Sequence, residues 1–214
     1  MPRSKKNYGI LPRNHFSLHW LVLIFRMMES KQQDLILLKL KSLIRKKSVL
    51  ALTAVAKKDE LQVVEVPAED KVMGHWMSVI SVSGEQLHIT FKVQFSIDMA
   101  RSYAMQTFKN LTSEISNSHS KDFIREYCNM VAGYIKNALI HNSISVGVSL
   151  PLLCRGFDDL FFDLPARAFS GIDRWKLVHN GNIISCASVI EVIEDLNFKD
   201  LDDETSLSGE VEFL

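Results

Sequence analysis

The chain is poor in the residues and runs that announce most chemistries. It has three cysteines, Cys128, Cys154 and Cys186, odd in number, widely spaced and without a CxxC. That argues against a disulfide framework and for a reducing compartment, which we expect to be the cytoplasm. No glycine-rich phosphate loop, Walker signature or serine nucleophile elbow occurs, so nothing in the sequence points to a small-molecule ligand. Histidine offers no metal pattern: His15 and His19 are four apart but no Glu follows His15, and His75, His88, His119, His141 and His179 are scattered singly. Cys128 lacks a sequence-local base and is expected to be a structural thiol. The apolar run Trp20 to Phe25 is much too short to span a bilayer.

What is present fits one domain with appendages. With 214 residues, 47% hydrophobic and 23% charged, the chain can bury a substantial core and stay soluble. Net charge is zero but uneven: residues 1–58 hold thirteen Lys or Arg against two acids, and residues 191–214 hold nine acids against Lys199. The basic residues are not interleaved with aromatics, so we expect solvated ends, with neither nucleic acid nor membrane as partner. Residues 1–27 outline a signal peptide without a small-residue cleavage site, and are read as a doubtful extension. Residues 28–71 form a basic helical segment with connecting elements, 72–196 the main domain, and 197–214 an acidic, flexible tail.

Lys31 to Lys58 has helical periodicity, with one face for a core or, alternatively, for a membrane surface. Within it, Ser48 to Ala56 reads equally as strand or buried helix. Lys57 to Glu60 should turn, and Leu61 to Val66 should be a strand stopped by Pro67. Alternating runs around Ser83 and Gly84 predict a hairpin from Trp76 to Phe95. Asp98 is expected to cap a helix running to about Leu111, and Thr112 to Ser120 to connect it to a long helix. Ile144 to Leu150 should be a strand and Pro151 to Asp159 a loop. Asn180-Gly181, the type I′ dipeptide, predicts a second hairpin from Arg174–His179 to Asn182–Ile193. The fold class is therefore α+β in two layers, an antiparallel sheet with two long helices.

The long helix carries the candidate site. Apolar residues from Phe123 to Leu139 recur at three-and-four spacing, and on the other face Glu126 and Asn129 stand three apart, side by side. Gly133 removes a side chain from that face, at about 1 kcal/mol of helix propensity. Glu-x-x-Asn also occurs at Glu114–Asn117 and Glu194–Asn197, but only Asn129 has a proline, Pro151, twenty-two residues on. A helical ExxN followed by this proline resembles the signature of the CheC, CheX and FliY family of chemotaxis phosphatases. EYCNMVAGYIKNAL and VSLPLLCRG are most similar to CheX, and SVISVSGEQLHITFKVQFSIDMARSYAMQTF is similar to the family's hairpin and first long helix, over about Val72 to Val192.

The resemblance implies a phosphatase for the phospho-aspartate of a CheY-like response-regulator receiver. Asn129 would position the hydrolytic water, Glu126 would pair with the receiver's lysine, Gly133 would give clearance, and Pro151 would support the architecture. It implies Mg²⁺ on the receiver, no cofactor bound by this chain, and a homodimer as in relatives. The alternative is a non-catalytic receiver-binding or flagellar-switch scaffold with the same fold. At the other end of the chain, we expect translation to start at Met27 or Met28; an intact mass of the native protein beginning at residue 2 would refute this.

Overall fold

The computed structural model describes residues 18–56, 61–67, 74–107, 115–159, 169–193 and 196. Packing divides the chain into Met1–Leu35 and one compact unit, Ile36–Leu214. The order is α1 (Leu18–Ala56), β1 (Gln62–Glu65), β2 (Trp76–Ser83), β3 (Leu87–Phe95), α2 (Ile97–Thr107), α3 (Asn117–His141), β4 (Gly147–Val148), β5 (Leu152–Arg155), a 3-10 turn at Gly156–Asp158, β6 (Ser170–His179) and β7 (Asn182–Val192). The strands form one seven-stranded sheet in the order β1-β6-β7-β3-β2-β4, with β5 also on β2, and every pairing is antiparallel. The architecture is the α+β fold expected, and residues 36–56 of α1 join the helix layer as a third helix. Among the described residues no helix is long and apolar enough to cross a membrane.

Register explains which side of the sheet faces the helices. Ile80 pairs with Phe91, Val93 with Cys186 and Cys186 with Trp175, so these side chains share one face. That face joins Ile36, Leu40, Ile44 and Leu52 of α1, Tyr103 of α2 and Phe123, Tyr127 and Ile135 of α3 in a single apolar core. On the opposite face, Lys92 is only 3% exposed, with Nζ 2.8 Å from Asp159 Oδ1. Gln94 donates to Asp159 Oδ2 (3.0 Å) and accepts from the Gly74 N–H (2.8 Å). These bonds pin the turn after β5 to the sheet.

The β6–β7 hairpin turns as expected, with φ of 48° at Asn180 and 77° at Gly181, the pair of left-handed residues a type I′ turn needs. Of the two readings open for Ser48 to Ala56 the structure has the buried helix, with Ser48, Ala51, Leu52 and Ala56 buried at helical spacing. Other expectations are corrected. Ser96, not Asp98, caps α2, its Oγ accepting from the Met99 N–H (3.3 Å), while Asp98 pairs with Arg101 at 3.1 Å. Ser116 caps α3 by accepting from the His119 N–H, so Asn117 is helical rather than in a loop.

The edge beside β2 departs most. The expected strand Ile144 to Leu150 is reduced to Gly147–Val148, and β5 follows Pro151 where a loop was expected. Val82 faces Val148 and Val79 faces Leu152, so Ser149, Leu150 and Pro151 stand opposite only Ile80 and Ser81. One surplus residue makes a β-bulge, on an outer strand where proline's missing N–H is harmless. The turn at Lys57 to Glu60, the end of α2 near Leu111, Glu114, the Glu194–Asn197 pair, residues 1–17 and the tail from 197 lie outside the described residues.

Arg45 of α1 grips the sheet with two parallel bonds to Asp173, Nε to Oδ2 and Nη2 to Oδ1, each 2.6 Å, and also pairs with Glu65. Asp173 is 7% exposed, so losing its partner leaves a buried charge uncompensated. Arg45→Met should cost about 3 kcal/mol in urea unfolding, and Arg45→Met with Asp173→Val clearly less. Equal losses in the two variants would show that the pair is not coupled.

Candidate functional site

The inner face of α3 is locked before its outer face is considered. Phe123, Ile124, Tyr127, Cys128, Val131, Ala132, Ile135 and Leu139 are all buried. Phe123 stacks on Tyr103 of α2 (centroids 6.1 Å, interplanar angle 7°), and Tyr127 meets Phe91 of β3 edge-on at 6.2 Å and 71°. The Tyr127 hydroxyl donates to the Ser48 carbonyl at 3.2 Å. Burial pushes its phenol well above the ordinary value and raises the Cys128 thiol to about 12. Cys128 is therefore a neutral core residue, with no thiolate for nucleophilic use.

The remaining face is open. Glu126 is half-buried and Asn129 exposed, and among the described residues neither side chain has a hydrogen-bond or ion-pair partner. A carboxylate and a carboxamide thus project from one rigid helix, available to an external group. A Cβ built on Gly133 would meet nothing within 4 Å. The fold itself does not require this glycine, and it leaves the surface beside the pair flat. Asp122 and Arg125 flank the pair, bonded to each other at 2.9 Å. Asn117 is exposed in the first turn and accepts from Arg101 at 2.6 Å, so this second Asn is engaged within the protein.

Pro151 is half-buried in the edge bulge. Its effect runs through the chain that follows: β5 returns along β2 until Arg155 pairs with Trp76. There Arg155 Cζ lies 4.0 Å from the Trp76 ring centroid, and Lys121 Nζ of α3 lies 3.5 Å from the same ring. The sequence offered no sign of this corner, because its three residues are brought together only by the tertiary fold. Among the described residues no group of three or more His, Cys, Asp or Glu is arranged to hold a metal ion.

Comparisons with known proteins bear on the fold that carries this site. Residues 76–160 match the family model described as chemotaxis phosphatase CheX. A search of curated protein sequences gives no match. The chemotaxis protein CheX from Vibrio vulnificus superposes with a TM-score of 0.55 at 14% identity, over 70% of this chain and 97% of that one. CheX from a CheX–CheY–BeF₃–Mg²⁺ complex of Borrelia burgdorferi gives 0.56 at 13% identity, over 70% and 96%. A CheC-like superfamily protein from Shewanella sp. PV-4 gives 0.54 at 12%, over 72% and 97%. At these identities the structural likeness speaks for the fold.

The open space at Gly133 has a measurable consequence. Gly133→Ala should stabilise the protein by about 0.5–1 kcal/mol in urea unfolding, because it improves helix propensity without a clash. A loss of stability would reveal a contact at this face that the described residues do not make.

Proposed function

We propose, from the match of residues 76–160 to the CheX family model, that this is a CheX-like phosphatase that binds a CheY-like receiver and hydrolyses its phospho-aspartate. The observation that carries the reading is the outward pair Glu126 and Asn129, unpartnered on a helix whose opposite face is locked into the core. The CheX model match and the shared fold of a CheX solved with CheY and BeF₃–Mg²⁺ support it.

In the reaction, water attacks phosphorus in line with the aspartyl oxygen, the P–O bond to aspartate breaks, and the carboxylate, inorganic phosphate and a proton leave. Such a transfer needs positioning and charge stabilisation more than covalent help. The Asn129 carboxamide oxygen accepts a hydrogen bond from the water and holds it on the attack line. Glu126, one turn earlier, pairs with the receiver's lysine and sets the depth of docking. Gly133 gives the receiver's backbone clearance, and Pro151 supports the edge from which β5 returns towards α3. Mg²⁺ in this reading belongs to the receiver, where it neutralises phosphoryl oxygens.

Substitutions separate the roles. Asn129→Ala should reduce receiver dephosphorylation to the receiver's own rate, a loss of about 100-fold or more, with binding within about twofold. Glu126→Ala should weaken binding about tenfold or more as well. Decay of the acyl phosphate at the wild-type rate in both variants would reject this site.

A further inference from the structure

α3 carries Lys121, Arg125, Asn129 and Gly133 at successive four-residue steps, so these residues form one ridge along the helix. At the start of the ridge is the corner where Lys121 and Arg155 both lie on Trp76, 3.5 Å and 4.0 Å from its centroid. Among the described residues neither cation has an ion-pair partner. The nearby Asp158 carboxylate accepts from the Arg155 backbone N–H at 2.9 Å, and Asp122 is engaged with Arg125. Both cations thus lie against one ring without a carboxylate partner of their own, and each can take an anionic group from outside.

Resting on the receiver reading above, we propose that Lys121 and Arg155, gathered on Trp76, form a second contact that takes an acidic patch of the docked receiver and sets its association rate and identity. Distance favours this occupant. A standard interface covers about 800 Å² per partner, a disc roughly 16 Å in radius. Lys121 precedes Asn129 by eight residues, about 12 Å along the helix axis. A receiver centred on Asn129 therefore reaches the corner without a separate binding event. The charge is also of the right sign, because a phosphorylated receiver presents anionic groups and a basic ridge steers them towards Asn129.

The test measures binding of candidate CheY-type receivers loaded with Mg²⁺ and BeF₃⁻, and the kcat and KM of receiver dephosphorylation, at about 50 mM and about 500 mM salt. Lys121→Glu with Arg155→Glu should raise Kd and KM about tenfold at low salt and leave kcat within about twofold. At high salt the difference should shrink to about twofold. Lys121→Gln with Arg155→Gln should fall between and decides the matter if the charge-reversed protein does not fold. Wild-type Kd, KM and salt dependence in a folded variant would overturn the proposal. Wild-type protein that binds the BeF₃⁻-loaded receiver but does not hasten decay of the same receiver when phosphorylated would overturn the phosphatase reading alone, with Kd still judging the basic contact. No binding to any receiver would overturn both.

Discussion

The structure depends on how Ser48 is used. This buried residue of α1 accepts from Tyr127 of α3 through its carbonyl at 3.2 Å and from Trp175 of β6 through its Oγ at 3.1 Å, and the same hydroxyl donates to the Arg45 carbonyl at 2.7 Å. Tyr127 and Trp175 are among the largest fully buried side chains, and each carries a polar atom that would cost about 1–3 kcal/mol if left unpaired. One small residue satisfies both and binds two helices to the sheet. Tyr127 lies next to Glu126 in sequence, so the bond that fixes its ring also fixes the rotation of α3 about its axis. The direction of Glu126 and Asn129 follows, since successive residues on a helix differ by about 100°.

This arrangement separates stability from recognition on a single helix. The buried side of α3 is filled by aromatic and aliphatic residues with defined partners, and on its outer side Glu126 and Asn129 have none among the described residues. Substitutions on the outer side can therefore change what the protein does with little effect on whether it folds. Arg45 adds to the same security at the other end of the network, holding Asp173 while its guanidinium lies 5.9 Å from the Trp175 ring.

Much of the fold was legible because the signals were local. Asn180-Gly181 dictates its turn by backbone chirality, and the periodicity of Phe123 to Leu139 shows which way α3 faces before any contact is known. Other elements were hidden for physical reasons. A polar run such as Ser116 to Ser120 reads as a loop until the Ser116 cap turns its first residues into helix. The apolar residues from Ser48 to Ala56 suit a strand or a buried helix alike, and only the packing of α1 decides. Pro151 suggested an end to strand structure, but on an outer strand it removes just one unused donor. The corner at Trp76 and the burial of Lys92 arise from residues distant in sequence, which no window along the chain contains.

The bulge at Ser149 to Pro151 bears on more than the course of β5. Leu150, 89% exposed, is pushed out of the sheet there, and the proline has no N–H to offer. An outermost strand with a surplus residue and a missing donor makes a poor template for another extended chain in continuous register. The interruption therefore guards the sheet against growing by accretion on that flank, and filling the gap, by deleting one residue and replacing the proline, would remove that guard.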